Sequence, residues 1–82
     1  MAAMDRLALE DWLVTRVAAL VGLPETDIDL AAPLQSFGVT SLMAVELAAD
    51  LEDLTGLTVD ATIAWEYPTI EKLAGWLAGQ TG

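Results

Sequence analysis

Apolar residues recur at helical spacing through most of the chain, and one segment breaks the rhythm. Leu9, Leu13, Val17 and Leu20 follow one another at intervals of four, four and three, which aligns them on one face of a helix. Trp12 widens that face. The pattern predicts a first helix from about Asp5 to Val21, stopped by Gly22 and Pro24. Residues 24–40, PETDIDLAAPLQSFGVT, have no such period and are punctuated by Pro24, Pro33 and Gly38. They read as a long loop, and a structureless loop of this length in a compact domain is uncommon and usually functional. Ile28, Leu30, Leu34 and Phe37 are expected to pin it to the core. The run DIDLAA brings calcium loops to mind, but Ala31 and Ala32 stand where an oxygen ligand and a glycine are required, which rejects that reading.

Helical spacing resumes after the loop. A second helix is predicted from about Ser41 to Thr55, with Gly56 just past its end. Ala44, Leu47, Ala48, Leu51 and Leu54 form its core stripe. Met43, Glu46, Asp50 and Asp53 are expected on the opposite side, with Leu42, Val45, Ala49 and Glu52 between. A short third helix follows around Asp60 to Tyr67, with Asp60 able to cap it and Pro68 ending it. Thr69 then caps a fourth helix that carries Ile70, Leu73, Ala74 and Leu77 on one face. The expected architecture is all-α: a small four-helix bundle of three main helices and a short third one, with a long loop after the first. It forms a single domain over residues 1–82, helical over about 5–78, with a tail at 79–82 that frays.

Composition narrows the chemistry. The chain is 55% hydrophobic with few aromatics, which favours helices. It has no Cys and no His, which removes a disulfide framework, most zinc sites, Ser-His and Cys-His catalysis and the commonest general base. A self-contained enzyme is not expected. The formal charge is −10, and no Lys or Arg occurs from Val17 to Glu71, where there are ten acids. Such a surface repels nucleic acid and anionic membranes and suits partners with basic patches. No stretch is long and apolar enough for a membrane span, and no signal peptide is visible. The expectation is a cytoplasmic domain, monomeric in isolation.

The second helix opens unusually. In FGVTSLMAVELAADLEDLTG, residues 37–56, a turn leads to two adjacent hydroxyls, Thr40 and Ser41. Helices favour a hydroxyl cap, so position alone gives Ser41 no role beyond capping. A second reading is that one hydroxyl is there to be modified. A helix N-terminus leaves N–H groups unpaired and carries partial positive charge, so an anion attached there is favoured.

Two motifs at a fixed separation choose between these readings. PLQSFGVTSLMAVELAADLEDLTGLTV followed by ATIAWEYPTIEKLAGWL resembles the acyl carrier domains of type I modular polyketide synthases, with Gly38, Ser41, Leu42, Glu46, Leu47, Leu51, Gly56, Tyr67, Pro68 and Thr69 in register. The resemblance covers residues from about 27 to 77. It implies that Ser41 carries a covalent 4′-phosphopantetheine arm, transferred from coenzyme A by a phosphopantetheinyl transferase, between Thr40 and Leu42. Acyl groups would ride as thioesters on the arm's thiol. The implied partners are that transferase, an acyltransferase or other loading enzyme, a ketosynthase and further synthase domains. Met43, Val45, Glu46, Asp50 and Asp53 would meet those partners. Trp65, where Phe is usual, would lie near the arm and shape a surface for the acyl chain. Leu42 and Met43 are expected to be accessible and Val45 half-buried. As aromatic residues, Trp65 and Tyr67 otherwise read as core. The chain departs from the family at Thr40, where Asp is usual. Three other readings compete: a peptidyl carrier of a non-ribosomal peptide synthetase, whose usual Gly-Gly-x-Ser turn is interrupted here by Val39 and Thr40; an unmodified helical docking module; and a free-standing carrier of fatty acid synthesis.

Overall fold

The computed structural model describes residues 4–81. Helix α1 spans Arg6–Val21. Asp5 caps it, its Oδ1 accepting the Ala8 N–H at 2.8 Å, and Gly22 ends it in the left-handed conformation at φ 74°. Leu9, Leu13 and Val17 are completely buried, as their spacing requires, and Ala18 joins them, whereas Leu20 is half-buried. The principal partner of this face is α4, Ile70–Thr81, which contributes Ile70, Leu73, Ala74 and Leu77. Burying each Leu contributes on the order of 1.5–3 kcal/mol relative to exposure.

Helix α2 occupies Ser41–Thr55 and ends at Gly56, again left-handed, at φ 74°. Its buried positions are Ala44, Leu47, Ala48 and Leu51, while Leu54 is half-buried against them. The short helix α3, Ile63–Glu66, begins later than its sequence suggests. Asp60 caps the turn that precedes α3: its Oδ1 accepts the Thr62 N–H at 3.0 Å and the Thr62 hydroxyl at 3.2 Å. Helix α4 continues through Thr81, beyond the expected boundary at 78; Gly75 and Gly79 are accommodated within it, and Gly82 lies outside the described residues.

The long connection between α1 and α2 is more ordered than its sequence suggests. Two 3-10 turns, Glu25–Asp27 and Leu34–Phe37, divide it. Ile28 and Leu34 are buried, and Leu30 and Phe37 pack against the core. Backbone bonds supply what periodicity cannot reveal. The Leu34 N–H donates to Pro68 O at 2.7 Å, the Glu71 N–H donates to Leu30 O at 3.0 Å, and Pro33 and Thr69 form an isolated antiparallel bridge. The loop is thus fastened across the junction between α3 and α4.

The two bonds from Thr62 hold the Asp60 carboxyl below the usual aspartate value, the backbone N–H contributing most. A lowered folded-state value means that Asp60 supports folding above the ordinary aspartate range and loses that support as pH falls through it. Asp60→Ala should therefore be less stable than wild type near neutrality. The gap should close as the pH drops below about 4. Denaturant midpoints measured across that range check this.

Candidate modification site at the head of α2

The site is built from the turn upward. After the 3-10 turn at Leu34–Phe37, Gly38 takes φ 92° and its N–H donates to Gln35 O at 3.0 Å. A side chain at that φ would be strained, so glycine lets the chain reverse here. Val39 is buried and anchors the turn. Thr40 has extended backbone and is the N-cap: its Oγ1 accepts the Met43 N–H at 3.3 Å and its carbonyl accepts the Ala44 N–H at 2.9 Å. Of the two hydroxyls, Thr40 therefore does the capping. Ser41, the first helical residue, is exposed, and its hydroxyl has no hydrogen-bond partner among the described residues.

The backbone N–H groups of Ser41 and Leu42 precede the first helical hydrogen bond and stay open. They point out of the positive end of a 15-residue helix. The nearest acid along the helix is Glu46, more than one turn away. The chemistry of this donor set fits a phosphodiester on Ser41: a free hydroxyl, open N–H donors and no adjacent carboxylate. No side chain in the turn or the first turn of α2 could act as a base on that hydroxyl. Among the described residues no group of three or more His, Cys, Asp or Glu is placed to hold a metal ion.

Along α2 the core stripe is the one its pattern predicts, but two flanking positions differ. Leu42 is 69% exposed and Val45 is 53% exposed, so Val45 is not half-buried. Met43 is partly buried and packs on the core, because it lies one turn before Leu47 on the flank of the core stripe. Met43 is therefore not the free neighbour of Leu42 that the sequence suggests; Leu42, Val45 and Ala49 form the exposed apolar strip. Glu46 and Asp53 are exposed. Asp50 is half-buried and paired with Arg16 on α1, whose Nε donates to Asp50 Oδ2. Sequence spacing cannot show that pair, because its members are on different helices. Glu52, given no role by its sequence, reaches across to accept the Val59 N–H at 3.0 Å and holds the start of the connection to α3.

Thr40, Ser41, Leu42, Val45, Glu46 and Asp53 thus share one continuous surface at the head and outer side of α2. Trp65 belongs to α3 and is 40% exposed, so it is not a core aromatic. Tyr67 is half-buried and stacks on Trp76 with ring centroids 5.6 Å apart.

The fold and the exposed serine at a helix head define a carrier-type domain. The chain belongs to the phosphopantetheine attachment site family, whose model matches residues 11–77. The covalent cofactor of this family is phosphopantetheine. The polyketide synthase PksL of Bacillus subtilis is 33% identical over 67 residues, covering 82% of this chain and 2% of that protein. Polyketide synthase GfsA of Streptomyces halstedii is 40% identical over 81 residues, covering 96% of this chain and 1% of its own length. The crystal structure of a free-standing peptidyl carrier protein from Acinetobacter baumannii superposes with a TM-score of 0.92 at 33% identity, over 95% of this chain and 98% of that one. The chain therefore spans only a small part of its polyketide synthase relatives. No helix of the described residues is long and apolar enough to cross a membrane.

Proposed function

We propose that this domain is an acyl carrier of a polyketide assembly line, with Ser41 as the attachment point of the 4′-phosphopantetheine arm. The observation that carries the reading is the exposed, unbonded Ser41 hydroxyl at the head of α2, inside a family match shared with polyketide synthases. The arm supplies a thiol on which an acyl group is held as a thioester. The protein's own part is to hold and present. Thr40 keeps the first turn wound, the open N–H groups of Ser41 and Leu42 favour the phosphodiester, and Leu42, Val45, Glu46 and Asp53 offer partners an apolar strip edged with negative charge.

The domain contributes no catalysis in this reading. Activation of the serine belongs to the phosphopantetheinyl transferase, and acyl transfer belongs to an acyltransferase or loading enzyme and a ketosynthase. Tethering raises the effective concentration of the cargo at each of these active sites without tight binding. Contacts of this kind are small, brief and steered by charge. Trp65 is the candidate wall for the acyl chain. A cytoplasmic location would give the transferase its coenzyme A.

A peptidyl carrier is the second reading, favoured by the close superposition on the Acinetobacter structure. Intact-protein mass after incubation with coenzyme A, magnesium and a broad-specificity transferase tests the carrier function itself, which predicts the gain of one phosphopantetheine. Loading by acyltransferase domains against adenylation domains then separates the two cargo classes. A chain that gains no mass is an unmodified docking module.

Thr40 gives a graded test of the site. Thr40→Ala removes the side-chain cap of α2 and should cost about 0.5–2 kcal/mol in chemical denaturation. Thr40→Asp restores a cap and should fold normally and be modified at least as fast as wild type, measured as initial rate of mass gain.

A further inference from the structure

The acidic edge of α2 is not uniform. Glu46, Asp50 and Asp53 follow at intervals of four and three and so adjoin one another along the helix. Asp50 alone among them has a cationic partner, Arg16 of α1. Arg16 is the single Lys or Arg in the whole span from residue 7 to residue 71. The two side chains retain 39% and 30% of their exposure, so the pair is open to solvent and to competition. It lies in a groove between α1 and α2 lined also by Trp12, Asp53 and Leu54. The remaining bases are elsewhere: Arg6 pairs with Glu10 within α1, at 3.4 Å, and Lys72 belongs to α4.

We infer that Arg16 is a specificity-determining residue: it withdraws the Asp50 carboxylate from the docking edge of α2, so that a basic partner meets Glu46 and Asp53 and must compete with Arg16 for Asp50. The inference rests on the carrier reading only in that docking at α2 gives this edge its partner. The physics is local. A guanidinium within bonding distance cancels the field of one carboxylate over distances beyond the pair, so an edge of three acids acts as an edge of two. A partner cation approaching Asp50 also meets the like charge of Arg16. Partners whose basic residues reach only Glu46 and Asp53 lose least, whereas those that reach Asp50 beside Arg16 are penalised. Arg16 acts through Asp50 and is in that sense a positioning residue for charge.

The experiment compares Arg16→Gln with Arg6→Gln. Each removes one positive charge from the same chain, but only the first uncovers an accessible acid on α2; the acid left by the second, Glu10 of α1, is buried. Loading by a broad-specificity phosphopantetheinyl transferase is measured as kcat and KM, and binding of a labelled oligolysine peptide is measured by anisotropy. Both are run at low salt and at about 1 M, where screening acts over about 3 Å. Arg16→Gln should exceed Arg6→Gln by about two- to five-fold at low salt, in lowering of KM and in peptide affinity, with kcat unchanged. The advantage should vanish at high salt and in the double variant Arg16→Gln/Asp50→Asn, and Arg16→Lys should stay at the wild-type level. Equal values for the two single variants overturn the inference. Should wild type take up no phosphopantetheine, the carrier reading fails, and the oligolysine comparison alone decides the inference by the same criterion. Should Arg16→Gln lose its helical circular dichroism, Arg16→Met, which keeps the apolar stem, is put through the same comparison.

Discussion

Ser41→Ala should gain no mass with coenzyme A and transferase, while its circular dichroism and denaturation midpoint stay within about 0.5 kcal/mol of wild type. The effect is expected to be all or none, because the reaction needs a nucleophilic oxygen at this position and alanine has none. The neighbouring hydroxyl cannot substitute. Thr40 Oγ1 is engaged with the Met43 N–H and its backbone is extended, so it belongs to the cap and not to the first helical turn. Stability should be spared because the Ser41 side chain is exposed and bonded to nothing among the described residues, and alanine is a better helix former. Mass gain by Ser41→Ala would move the attachment point elsewhere. A large loss of stability would mean that Ser41 and not Thr40 holds the helix end.

The largest structural effect is expected from the loop. Leu34→Ala should destabilise the domain by about 2–5 kcal/mol, the range for emptying a packed leucine site. In a chain of this size that is a large share of a total near 4–12 kcal/mol, at roughly 0.05–0.15 kcal/mol per residue. Leu34 has no exposed surface, and its N–H holds Pro68 O. Truncation should therefore loosen both sides of the fastening. The denaturation midpoint should fall with little change in slope, and the amides of Leu34 and Glu71 should exchange faster than those at the centre of α1. A change below about 0.5 kcal/mol would show that the loop rides on the bundle without supporting it.

Much of this fold is legible from residue spacing. Helix α2 begins and ends at the expected residues because a cap, an unbroken run of helix formers and a terminal glycine agree. The anchors Ile28 and Leu34 stand out as apolar residues in a polar loop. The burial of the positions flanking the α2 stripe is not legible. Leu and Ala occur on several of its sides, so the pattern fixes a core stripe but leaves its flanks open, and Met43 and Val45 exchange their expected places for that reason. Glu10 is buried although it is an acid, because it lies one turn from Arg6 and one residue from Leu9. For the candidate site, adjacent hydroxyls at a helix head are visible in the sequence, while the division of labour between Thr40 and Ser41 needs backbone geometry. The bonds from Arg16 to Asp50 and from Glu52 to Val59 join distant or irregular segments, and no period encodes them.

The pairing of α1 with α4 has a consequence for synthesis on the ribosome. The apolar face of α1 is complete once Val21 has been made, but its main cover begins only at Ile70. At typical elongation rates the intervening residues take roughly 2.5–10 s to appear. For that time Leu9, Leu13 and Val17 are without the surface that shields them in the finished domain. The nascent helix is then an amphipathic segment open to chaperones, and its main cover arrives only when the last helix emerges.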